Sequence, residues 1–67
     1  MNLIEGLQHE ANRRRETLKQ YEEIGPAGAI GAMLLRRDIH KCEAAIGNGD
    51  LVEMMRLYAT LNREELK

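Results

Sequence analysis

The stretch Glu22–Arg37, EEIGPAGAIGAMLLRR, decides how this chain folds. It holds three of the six glycines, the single proline and an arginine pair. Ile24-Gly25-Pro26 punctuates two runs of helix-forming residues. Glycine suits the left-handed residue that ends a helix. Proline suits the first turn of the next, where its missing N–H has no intrahelical partner to lose. A connection this short makes the flanking helices antiparallel neighbours.

Outward from the turn, the first arm is rich in Glu, Gln, Arg, Lys and Leu, all good helix formers. Ile4, Leu7, Ala11, Leu18 and Tyr21 recur in steps of three and four, and Arg14 fills the one missing place. This predicts an amphipathic helix over about 3–23 with Asn2 as its N-cap. The second arm predicts a helix over about 26–46. Its clearest stripe is Leu35, Ile39, Cys42 and Ile46, and Ile30 and Leu34 form a second apolar edge. One edge can face the first helix and the other a second subunit. Gly47-Asn48-Gly49 ends that arm. Asp50 and Glu53 then stand at capping-box spacing, with Asp in the place of Ser or Thr. A third helix over about 50–61 carries Leu51, Met54, Met55, Tyr58 and Leu61 on one side, and the charged tail 62–67 is expected to fray.

The fold class is therefore all-α: an antiparallel helical hairpin plus a short third helix, in one domain spanning 1–67. A domain of this size buries only about 60% of its unfolded surface. With no Phe or Trp and two Tyr, its core is thin. A lone Cys42 excludes an internal disulfide. Self-association is the remaining remedy, and a homo-oligomeric helical bundle is expected.

Composition narrows the function. Ten Lys and Arg against eleven Asp and Glu do not make a general nucleic-acid binder. The apolar run Ala27–Leu35 is too short to span a bilayer, so no membrane partner is expected. No basic region followed by an apolar core opens the chain, and one free cysteine fits a reduced cytoplasmic setting. There is no Ser, and Thr17 and Thr60 have no evident activating base, so no enzyme and no cofactor are expected. His9, His40 and Cys42 are the soft-metal candidates, but their spacing follows no zinc pattern, and no metal is expected.

Two features remain as candidate ligand-binding positions. Gly25, Gly28 and Gly31 lie three apart at a helix entrance. They resemble neither a dinucleotide fingerprint nor a Walker loop. Either small residues let two helices cross closely, or backbone N–H groups at a helix start receive an anion. Arg14 sits on the apolar stripe, where an unpaired charge is costly. It pairs with an acid such as Asp38, reaches to the edge, or lines a pocket, with Arg37 level with it across the hairpin. Arginine's planar fork suits phosphate, and Tyr21 offers a stacking ring. The candidate set is Arg14, Tyr21, Gly25, Gly28, Gly31 and Arg37.

The segments MNLIEGLQHE, YEEIGPAGAIGAM and GNGDLVEMM resemble small helical proteins of bacteriophages and prophages. The resemblance implies a phage-type accessory protein, acting against host defence in the host cytoplasm. It implies two mechanisms. One is a sponge that sequesters a small anionic ligand, a nucleotide immune signal, in pockets between subunits. The other is an anti-CRISPR-like inhibitor that blocks a host protein complex through its helical surface, with Met and Leu anchors and a charged rim.

Overall fold

The structure, a computed structural model, describes residues 2–65 and the side chains of 2–63. Helix α1 runs over Leu3–Ile24, a 3-10 turn over Gly25–Gly28, α2 over Ala29–Asn48 and α3 over Leu51–Glu65. Among the described residues every regular element is helical.

Each boundary has a local cause. Asn2 Oδ1 accepts the Glu5 N–H at 2.8 Å and starts α1. Gly25 ends it at φ +80 and ψ −140, a conformation open only to glycine without strain. The residues expected to open the second helix form the 3-10 turn instead, with Pro26 in its first positions. Gly28 then hands over to α2. At the far end Gly49 is left-handed, its N–H reaches the Ile46 carbonyl at 3.1 Å, and the Asp50 N–H reaches the Ala45 carbonyl at 3.2 Å. This pattern of reversed bonds closes α2. The same Asp50 accepts the Glu53 N–H at 3.1 Å through its side chain and so starts α3. Helix α3 runs on through 62–65, one turn beyond the expected end; no Gly or Pro interrupts it there. The rest of the expected tail, 66 and 67, lies outside the described residues.

Helices α1 and α2 are antiparallel. Glu22 pairs with Arg36 near the turn and Arg15 with Glu43 near the open end, at 2.9 and 3.1 Å. Helix α3 covers the open end. The continuous core is Leu7, Ala11, Cys42, Ala45, Met54, Leu57 and Leu61, with Leu3, Ile46 and Tyr58 packed against it. No member of that core lies between Ala11 and Cys42. In the turn half of the hairpin, Ala32 and Ile39 are buried, but apart from the core. The expected stripes are therefore half right. Leu7, Ala11, Ile39, Cys42, Met54 and Leu61 are buried, whereas Ile4, Leu51 and Met55 face outward.

Candidate functional site

The six candidate positions fall in different surroundings. Arg14 is 8% exposed and lies inside the molecule. Its Nη1 donates to Glu10 Oε2 at 2.8 Å and approaches the Glu10 carbonyl at 3.3 Å. Its Nη2 donates to the Leu61 carbonyl at 3.4 Å, and its Nε lies 3.8 Å from Asp38 Oδ2. One guanidinium thus joins all three helices. Of the roles open to it in the sequence, pairing with acids is the one the geometry displays, with Glu10 as the closer partner. Glu10 is 3% exposed and escaped the sequence reading.

Gly28 and Gly31 serve the helix crossing. A Cβ on Gly28 would collide with the Tyr21 carbonyl oxygen and stand 3.1 Å from the Tyr21 carbonyl carbon. A Cβ on Gly31 would stand 3.0 Å from the Tyr21 ring. Tyr21 therefore fills the space that the two glycines leave. Gly25 has nothing within 4 Å of such a Cβ, and its positive φ is what requires glycine. Tyr21, Gly25 and Gly28 share one shallow cleft with Pro26, Ala32 and Arg36. Arg36 on its rim is held by Glu22. Arg14, Gly31 and Arg37 do not line that cleft. The Arg37 side chain is 60% exposed, with Nη2 3.7 Å from Asp38 Oδ1.

The remaining chemistry-bearing groups are accounted for locally. Thr17 and Thr60 donate their hydroxyls to the carbonyls of Arg13 and Arg56, one helical turn back. His9 and His40 are exposed while Cys42 is fully buried. Among the described residues no three His, Cys, Asp or Glu side chains are grouped to hold a metal ion. Burial pushes the Cys42 thiol above its ordinary value of 9.0; Arg14 acts against that and Asp38 and Glu10 add to it.

What the molecule offers outward is apolar. Ile24, Ile30, Met33 and Leu34 project from the turn half, each at least 42% exposed. Leu51, Val52 and Met55 project from the start of α3, each at least 58% exposed. The α3 positions are the face opposite Met54, Leu57 and Leu61, so this helix is apolar on both sides. The signal was present in the sequence: Leu57 stands three after Met54 and four before Leu61, and it separates the two faces. Among the described residues no helix is long and apolar enough to cross a membrane. No family model, curated protein or solved structure matches the chain.

Proposed function

We propose that this chain is a non-catalytic interaction protein that acts by surface contact with another protein, through the outer face of α3. One observation carries the reading. Among the described residues nine large apolar side chains are exposed, against five, Leu7, Ile39, Met54, Leu57 and Leu61, that are buried. Exposed large apolar side chains gathered in one place, rather than scattered, mark an interaction surface. On α3 the exposed set is Leu51, Val52 and Met55, rimmed by the Glu53–Arg56 pair at 3.2 Å. Apolar anchors with a mixed-charge rim are the make-up of a protein-binding patch. In the bacteriophage setting that the sequence resemblance implies, the partner is a host defence complex and the contact blocks it.

Capture of a small anion, the other mechanism, meets an obstacle in the arginines. Arg14 is engaged by Glu10, Asp38 and the Leu61 carbonyl, and Arg37, 60% exposed, does not share a cleft with the candidate glycines. An incoming phosphate would have to displace carboxylates already in place, against like-charge repulsion. Surface contact requires no such rearrangement.

A photo-crosslinking side chain at Val52, in the full chain inside the host cell, tests the proposal. The expected result is a discrete adduct with one larger protein, absent when the crosslinker sits at exposed Asn62 and lost when Met55→Glu is added. Equal, diffuse labelling from Val52 and Asn62 would refute it.

A further inference from the structure

Between α1 and α2, near the open end of the hairpin, runs a groove of about 440 Å³. Its lining comes from those two helices, and no described residue of α3 takes part. The floor is apolar: Ala11 and Cys42 are buried there and Ile46 is half-buried. Burial raises the Cys42 pKa, so the thiol stays neutral and the floor carries no charge. The α1 wall is the stripe Gln8, Asn12 and Arg15, at i, i+4 and i+7. The α2 wall is Glu43 and, one turn on, Gly47, where a Cβ would meet nothing within 4 Å.

The walls hold one cation and one anion, and these face each other. Arg15 Nη2 donates across the groove to Glu43 Oε1 at 3.1 Å, while its Nη1 donates to Asn12 Oδ1 at 2.6 Å. The two charged side chains are 44% and 59% exposed. Such a pair is held weakly and exchanges partners readily, unlike the buried pair of Glu10 and Arg14. Among the described residues the second Glu43 oxygen and the Gln8 amide have no hydrogen-bond partner. An anion entering alone would be repelled by Glu43, and a cation alone by Arg15. A molecule that carries both charges side by side gives each wall a new partner and is repelled by neither.

We propose that this groove binds a free α-amino acid with an apolar side chain. The ligand carboxylate meets Arg15, with the Gln8 amide as a further donor, the ammonium meets Glu43, and the side chain lies on Ala11, Cys42 and Ile46. Three observations select this occupant. First, the charges of the walls are complementary to a zwitterion: they balance, and they stand 3.1 Å apart, as the two charges of an α-amino acid stand on one carbon. Second, the floor is uncharged and apolar, which favours an aliphatic side chain over a polar one. Third, the space is short. Gln8 to Arg15 covers about 10 Å of helix, and the volume lies at the small end of the roughly 300–1,000 Å³ that ligand pockets span. A partner helix laid along the hairpin would run onto the Arg15–Glu43 pair at the end of the groove, whereas a small zwitterion ends there. The groove lies apart from the α3 patch, so this inference does not rest on the protein-contact reading.

An amide chemical-shift titration of the full chain with L-leucine tests this. Saturable shifts at millimolar leucine are expected over 8–15 and 42–47, and not over 51–55. Two analogues need no variant: 4-methylpentanoate lacks the ammonium and 3-methylbutylamine lacks the carboxylate. Each is expected to bind about tenfold more weakly or worse, for one lost charge-assisted contact. Arg15→Gln and Glu43→Gln are each expected to weaken leucine by about tenfold, with the urea midpoint nearly that of the parent because the pair is exposed. The absence of saturable shifts at tens of millimolar leucine overturns the inference. So does an analogue that binds as tightly as leucine, since apolar contact alone would then explain the binding, and so do shifts confined to 51–55. A photo-crosslinker at Asn12 that captures a discrete protein in the host cell would give the groove to a macromolecule and overturn it as well. The α3 reading stands or falls separately, by the crosslink at Val52.

Discussion

Arg14→Met tests the junction on which the three-helix half depends. The side chain keeps its bulk, but its polar attachments go, among them the ion pair to Glu10 at 2.8 Å, the bonds to the Glu10 carbonyl at 3.3 Å and the Leu61 carbonyl at 3.4 Å, and the approach to Asp38 at 3.8 Å. The Glu10 carboxylate, with its side chain 4% exposed, loses its neighbouring cation while it stays buried. Removing one member of a buried pair costs about 3–5 kcal/mol. A domain of this length has a total stability of roughly 3–10 kcal/mol, so the variant is brought close to unfolding. With a urea slope of about 1 kcal/mol per molar at this size, the midpoint falls by about 3–5 M, or to zero where the parent has less to lose. Replacing both partners, Glu10→Met with Arg14→Met, removes the buried carboxylate as well and is expected to recover most of the loss. Urea titration followed by helical circular dichroism reads both. An Arg14→Met protein with the parent's midpoint would refute the reasoning, and so would a double variant no better than the single one. Either result would reopen Arg14 as a group reserved for an external anion.

Two glycine substitutions are expected to move stability in opposite directions. Gly28→Ala forces the Tyr21 backbone away and costs about 1–3 kcal/mol, whereas Gly47→Ala, with nothing within 4 Å of the new Cβ, gains about 0.5–1 kcal/mol through the helix preference of alanine; urea midpoints check both. Cys42 is expected to react with thiol reagents only as fast as the protein opens, so sub-denaturing urea accelerates labelling; rapid labelling of the folded chain would contradict its burial. The Cys42 thiol also binds its proton more tightly folded than unfolded, since burial raises its pKa. Its contribution is therefore fully present below the thiol's ordinary value of 9.0 and falls as pH rises beyond it. The urea midpoint is expected to drop between neutral pH and about pH 10, and Cys42→Ala to remove part of that slope.

Much of the fold was legible because its boundaries are chemical. Gly25-Pro26 and Asp50 stand at the helix boundaries where the sequence placed them, whereas α2 runs on through Gly47 and Asn48, two residues past its expected end at 46, before Gly49 closes it. The buried interior was less legible. Glu10 is a charged residue three after Leu7 and four before Arg14, and the (i, i+4) spacing of opposite charges on an apolar stripe was the signal that it is buried. Gly6 looked like an interruption, yet it makes room for the Tyr58 ring, which a Cβ would meet at 2.7 Å. The candidate positions are only partly brought together, with Arg14 and Arg37 outside the cleft that Tyr21, Gly25 and Gly28 share. Gly28, Gly31 and Tyr21 do meet at the hairpin turn, through packing against one another. What periodicity cannot supply is how far along the hairpin the third helix reaches, and that reach decides which apolar edge is core and which is surface.

The dependence of thermal unfolding on protein concentration tests the self-association expected of so thin a core most directly, because burial shared with a second copy would tie folding to association. Melting followed by circular dichroism from low micromolar to near-millimolar concentration is expected to show a midpoint that climbs by several degrees for each tenfold step, since each step adds about 1.4 kcal/mol to the dimer. A midpoint that stays fixed across the range, in a protein that sediments at 7.7 kDa throughout, would contradict the account.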